Sequence, residues 1–126
     1  MIEIIPKKEL TAFDIKYLRE ISGKSISQIK SASLNGECIC CFEAFENNWQ
    51  DDRVILSSIS KLYSQKTDAP FYVKLCEYDE YLSPSQLHEL LLDLRSQELA
   101  EQKSSDLENG FISNYEDFEP HDEDWI

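Results

Sequence analysis

Phe71-Tyr72-Val73-Lys74-Leu75-Cys76-Glu77-Tyr78, followed shortly by Ser83-Pro84-Ser85-Gln86-Leu87-His88-Glu89-Leu90-Leu91, decides the class of this chain. In the first run Phe71, Val73 and Leu75 alternate with polar or amphipathic neighbours, the period-two pattern of a strand. In the second, Ser83 can cap a helix, Pro84 fits its first helical position, and Gln86 can reach back to the cap's backbone N–H. Leu87, Leu90, Leu91 and Leu94 then share one helical face. A strand passing into an amphipathic helix makes this a mixed α and β chain.

The same alternation of elements extends upstream. Ile2, Ile4 and Ile5 predict a short first strand ending at Pro6. Thr11 can cap a helix whose apolar positions are Ile15, Leu18 and Ile21, with Leu10 packing on Ile15 and Gly23 closing the end. Ser25 and Gln28 form a second capping box, opening a helix that stops by Asn35-Gly36. Residues 37–45 read as a strand, broken at Asn47-Asn48. Asp51 and Asp52 suit the positive end of a third helix with an apolar stripe of Val54, Ile55, Ile59, Leu62 and Tyr63. Asp68-Ala69-Pro70 predicts a turn. The expected order is β-α-α-β-α-β-α: an α+β or small α/β fold with a three-stranded sheet and about four helices. Residues 1–103 form the expected domain and residues 104–126 an acidic, aromatic-containing tail. An open sheet of three strands has edges that a helix, the tail or a partner must cover.

The chain has 126 residues, 41% of them apolar, enough for one core. No stretch approaches the roughly 20 apolar residues of a membrane span. Met1-Ile2-Glu3-Ile4-Ile5-Pro6 lacks the pattern of a secretory signal, so a cytoplasmic location is expected, with no membrane partner. The net charge is −13, from 25 acids and 12 bases. Residues 106–126 hold eight acids and no Lys or Arg, leaving 17 acids and 12 bases, net −5, for the first 105. Such a field repels nucleic-acid backbones and anionic membranes, and it attracts basic proteins.

A catalytic set is missing. A nucleophile needs a base in reach, and the two histidines stand apart, His88 beside the leucine stripe of the last helix and His121 in the tail. Gly23, Gly36 and Gly110 are isolated and cannot build a phosphate cradle. Asp51 and Asp52 are explained as helix-start charge, and no calcium-loop spacing occurs. Cys38, Cys40, Cys41 and Cys76 read as reduced thiols filling small core positions. A metal site joining one of the first three to Cys76 finds no histidine at ligand spacing, so no metal or other cofactor is expected. The expectation is a protein that is not an enzyme.

The tail mixes its acids with Phe111, Ile112, Tyr115, Phe118, Trp125 and Ile126, whereas a purely solvating acidic tail has few aromatics. The rings either pack back on the domain or anchor a partner, and both uses can coexist. Tyr115, Glu116, Asp117, Phe118, Glu119, Asp122, Glu123, Asp124 and Trp125 are the candidate partner-binding residues, the acids steering and the aromatics anchoring.

Four resemblances bear on function. Leu18-Arg19-Glu20-Ile21-Ser22-Gly23-Lys24-Ser25-Ile26-Ser27-Gln28-Ile29-Lys30 resembles a DNA-binding helix-turn-helix. It is also similar to the paired helices in the C-terminal domain of the bacterial ribosomal stalk protein, although that domain's repeated glycines are missing and a strand follows where that family continues helical. Asp122-Glu123-Asp124-Trp125-Ile126 is similar in style, though not in letters, to the acidic, apolar-tipped end of bacterial single-stranded-DNA-binding proteins. In size, acidity and lack of a catalytic set, the whole chain resembles bacterial immunity proteins of toxin–immunity systems. That resemblance implies an inhibitor whose carboxylates occupy the positive substrate site of a basic toxin or nuclease. The alternatives are a non-catalytic adaptor or ribosome-associated binding module, and a helix-turn-helix regulator, the last opposed by the net charge.

Overall fold

The computed structural model describes residues 1–64 and 69–126. The chain runs β1 (Ile2–Pro6), α1 (Ala12–Ser22), α2 (Ile26–Asn35), β2 (Cys40–Phe42), α3 (Trp49–Tyr63), β3 (Phe71–Leu75), β4 (Glu80–Leu82) and α4 (Pro84–Glu108), and ends in a 3-10 turn at Tyr115–Asp117. The four strands form one sheet in the order β2-β1-β3-β4, and every neighbouring pair is antiparallel.

The sheet therefore has four strands where three were expected, and the order is β-α-α-β-α-β-β-α. The missed strand, β4, has three residues, too few to display an alternation. A tight turn makes it possible: Tyr78 N–H bonds the Leu75 carbonyl at 3.2 Å, and Asp79 takes a left-handed φ of 49°. The strand expected over 37–45 is paired only at Cys40–Phe42, and the one expected over 71–78 ends at Leu75. Of the turn expected at Asp68-Ala69-Pro70, Asp68 lies outside the described residues, while Ala69 and Pro70 are buried at the entry to β3.

Helix boundaries follow local chemistry. Thr11 with Asp14, Ser25 with Gln28, and Ser83 with Gln86 each form a complete capping box. Gly23 closes α1 at a φ of 72°, its N–H bonding the Arg19 carbonyl, a left-handed conformation that costs a residue without Cβ little. α4 continues through residues 104–108, past the expected start of the tail.

One face of the sheet is the core. Ile2, Ile4, Phe42, Phe71, Val73 and Leu82 pack there against Leu56, Ile59 and Tyr63 of α3 and Leu87, Leu91 and Leu94 of α4. Burying each of these side chains contributes about 1.5–3 kcal/mol. Within α3 the buried stripe is Leu56, Ile59, Ser60 and Tyr63, whereas Val54, expected inside, is 53% exposed. A continuous run from Val54 to Leu56 leaves the phase of the helix open, and packing against α4 fixes it. A second cluster of Leu10, Leu18, Ile29, Ala32 and Ile39 joins α1 to α2. Tyr63 Oη–H donates to the buried carboxylate of Asp14 at 2.9 Å, tying α3 to α1.

Candidate functional site

The tail is folded, and its path begins at the end of α4. Gly110 takes a φ of 76°, and the Phe111 N–H returns to the Asp106 carbonyl at 2.9 Å. Asn114 caps the 3-10 turn by accepting from the Glu116 N–H at 3.0 Å. The chain then runs back along α4. His121 N–H donates to Gln102 Oε1 at 3.0 Å, and its ring Nε2 lies 2.8 Å from Asp106 Oδ2. These contacts bring the last five residues over the junction of α3 and α4.

A buried network receives them there. Glu98 Oε2 accepts from Trp49 Nε1–H at 2.7 Å and from Arg53 Nη1–H at 2.8 Å. Its other oxygen accepts from Trp125 Nε1–H at 2.8 Å and from Arg95 Nη1–H at 3.1 Å. Asp122 Oδ2 accepts from Arg53 Nη2–H at 2.8 Å. Asp122 Oδ1 accepts from Arg95 Nη1–H at 3.0 Å and Gln102 Nε2–H at 3.2 Å. The indoles of Trp49 and Trp125 meet edge to face at 5.9 Å, and the Arg53 guanidinium lies 5.6 Å from the centre of the Trp125 ring. Two guanidiniums thus face two carboxylates, and the cluster is internally neutral. Burial works against ionisation of both acids. The hydrogen bonds from Arg95, Gln102 and Arg53 outweigh it at Asp122 and hold that carboxyl at about 2. Those from Trp125, Arg53, Trp49 and Arg95 keep Glu98 below its ordinary range. Arg53 Nε and Arg95 Nε are buried without a hydrogen bond, and Asp124 Oδ1 lies 3.6 Å from the latter.

The nine candidate tail residues divide accordingly. Asp122 and Trp125 point inward, Trp125 only 9% exposed. Tyr115, Glu116, Asp117, Glu119, Glu123 and Asp124 are exposed, and Phe118 is half-buried. Lys103 lies 5.9 Å from the centre of the Tyr115 ring and 5.4 Å from that of Phe118, so this α4 side chain supports both rings. Sequence reasoning missed Arg53, Arg95 and Glu98. A signal for two of them exists: Arg95 and Glu98 continue the leucine stripe of α4, and charges on an apolar helix face need buried partners.

A groove of about 480 Å³ opens beside the network, lined by Phe45, Asn47, Asn48, Trp49, Asp51 and Gln102 among others. Phe45 and Asn47 hold left-handed φ values of 66° and 55° at its rim, and the Asn48 side chain makes no capping bond to α3.

The histidines remain apart from the cysteines: His88 is exposed, and His121 pairs with Asp106. All four cysteines are free thiols. Cys40 is packed against the core, but Cys41 is exposed, which corrects the expectation that it fills a core position. Cys38-Ile39-Cys40-Cys41 also contains a C-x-x-C pair, Cys38 and Cys41, which corrects the expectation that no such pair is present. Among the described residues, no group of three or more His, Cys, Asp or Glu side chains is arranged to hold a metal ion. No helix of the described residues is long and apolar enough to cross a membrane. No protein family, curated protein or solved structure matches this chain.

Proposed function

We propose that this protein is an acidic, non-catalytic inhibitor: a cytoplasmic immunity protein that neutralises a basic toxin or nuclease by covering its positively charged substrate site. The observation that supports this most is the division of the tail. Asp122 and Trp125 fasten it to α3 and α4, while Glu116, Asp117, Glu119 and Glu123 face solvent beside the exposed ring of Tyr115. A free acidic tail would lose conformational freedom on binding. A fastened one presents its carboxylates with that cost already met by folding. The field of the whole chain steers a basic partner, and Tyr115 and Phe118 serve as anchors. In this arrangement Asp122 and Trp125 act on the partner through the shape they impose.

The test is whether the neighbouring gene encodes a basic toxin or nuclease, followed by a cleavage assay with that protein. An equimolar amount of the chain should suppress cleavage of nucleic acid. Glu116→Lys combined with Asp117→Lys should weaken inhibition at least tenfold without shifting the melting temperature. Full inhibition by that variant would show that the tail is not the binding surface.

A different observation favours the adaptor or ribosome-associated reading. The α1–α2 hairpin exposes Leu34 to 87% and Ile26 to 44%, with Lys30 exposed on the same helix. Leu34→Glu would abolish binding by that surface and leave toxin inhibition intact. A gel shift with free duplex DNA separates both readings from a helix-turn-helix regulator.

A further inference from the structure

The groove beside the buried network continues along α4. A second recess, also of about 480 Å³, shares Phe45, Glu98 and Gln102 with the first and adds Gln97 and Glu101. Phe45 is thus a wall common to both. Its ring meets the Trp49 indole edge to face at 5.7 Å, yet 47% of the residue is exposed. Its φ of 66° is uncommon for a bulky side chain. Core packing does not explain a ring held out between two recesses.

The charge of the lining selects an occupant. Asp51, Glu98, Glu101 and Asp122 line the two recesses, against one base among the described lining residues, Arg53. Both terminal nitrogens of Arg53 are taken, Nη1 by Glu98 and Nη2 by Asp122, and Arg95 balances the rest of that pair. Asp51 and Glu101 are left exposed beside this neutral network, and Asp122 keeps 29% of its side chain exposed. An anion at the start of α3 would meet these carboxylates. The Asp51 and Asp52 N–H groups there are both spent on the Asn48 carbonyl, at 2.9 Å. No three acids among the described residues are arranged for a metal ion. A guanidinium fits better, being planar and weakly hydrated, able to stack on a ring and to donate five N–H bonds. Phe45 offers the face, and Asp51 and Glu101 offer the charge. The Asn48 side chain, which makes no capping bond to α3, offers a further acceptor.

We propose that this double recess is a docking groove for an arginine-bearing segment of the basic partner, with a guanidinium seated against Phe45. It rests on the reading of the partner as a basic protein, and it names what that partner must carry. The groove is continuous with the tail: Gln102 donates to Asp122 Oδ1 and accepts from the His121 N–H. The outward acids of the tail steer the approach, and the groove distinguishes arginine from other residues by stacking as well as charge.

The experiment adds the peptide acetyl-Gly-Arg-Gly-Arg-Gly-amide to the 15N-labelled full-length protein and follows it by NMR. Salt is held at about 0.15 M, where charges more than roughly 8 Å apart are screened. The Trp49 indole N–H, on a groove residue, is the reporter, and that of Trp125, bonded to the other oxygen of Glu98, is the internal reference. The Trp49 signal and the amides of residues 45–51 should shift and saturate, and Trp125 should move less. Citrulline in place of arginine, which keeps the shape without the charge, should bind about tenfold more weakly. Lysine should bind about threefold more weakly. Phe45→Ala should weaken the arginine peptide about fivefold, and Asp51→Asn with Glu101→Gln about tenfold, with melting temperature reporting that each variant is folded. Glu116→Lys with Asp117→Lys, the pair that tests inhibition, should leave the titration within about twofold, so inhibition and the groove fail separately. The assignment is overturned if the groove signals stay fixed up to about 10 mM peptide. It is equally overturned if the citrulline or lysine peptide binds the parent as tightly, or if the shifts are confined to residues 115–119.

Discussion

The α1–α2 hairpin and the C-terminal tail are both short segments on the surface of one core, and they are held by contacts of opposite range. In the hairpin, each boundary is set by neighbours in sequence: Thr11 with Asp14, Gly23 with Arg19, and Ser25 with Gln28. In the tail, the decisive bonds reach from Asp122 to Arg53, 69 residues away, and from Trp125 to Glu98, 27 residues away. Loss of a cap frays one helix end. Loss of one member of the charge cluster strands its partners in the interior, because Glu98 alone accepts four hydrogen bonds from two indoles and two guanidiniums. The hairpin is built from separable local parts, and the tail depends on one shared node.

The sharpest way to break that contrast is to remove the node. Glu98→Ala removes the more deeply buried of the two carboxylates that Arg53 and Arg95 share, and should cost about 3–5 kcal/mol in urea denaturation. An effect no larger than that of a cap would show the network to be a surface feature. Trp125→Ala removes the buried ring that closes the network and should cost about 3 kcal/mol, read by the urea midpoint.

Acid tests the same node without mutation. Asp122 is held at about 2 against an ordinary 3.8, so its depressed pKa contributes about 2 kcal/mol above the unfolded value. That contribution is fully present above about pH 4 and is lost as pH falls through about 2. Glu98, also depressed, adds in the same direction. Tryptophan emission should therefore report release of the tail between these pH values. Asp122→Asn, which cannot ionise, should remove Asp122's share of that dependence and leave that of Glu98.

On the hairpin side, Ser25→Ala deletes one capping bond and should cost about 1 kcal/mol, with no change in tail protection by hydrogen exchange. The smallest effect on stability belongs to the outward acids. Glu116→Lys with Asp117→Lys should shift stability by no more than about 0.5 kcal/mol, which makes the pair a clean probe of binding alone.

How much was legible follows the same division. Two capping boxes, Ser25 with Gln28 and Ser83 with Gln86, the Thr11 cap without its Asp14 partner, the glycine closures at 23 and 36, and the leucine face of α4 were readable, since each is a bond or a periodicity within a few residues. β4 was not, because three residues cannot show a period and its pairing to β3 depends on a turn at Asp79. The phase of α3 was also hidden, since Val54, Ile55 and Leu56 are equally apolar and only the packing of α4 selects Leu56. For the tail, composition showed that acids and rings were mixed, and it left open which would turn inward.

The sequence by itself determined a mixed α and β chain of strong negative charge, with helices started and stopped at defined residues and an acid-rich end. Only the tertiary structure decided that Asp122 and Trp125 are fasteners while Tyr115, Glu116, Asp117 and Glu119 face outward. Caps and periodicity are properties of adjacent residues and are written in their order. A buried ion cluster or a shared sheet face depends on which distant groups meet, and that is settled when the whole chain trades water for its own partners.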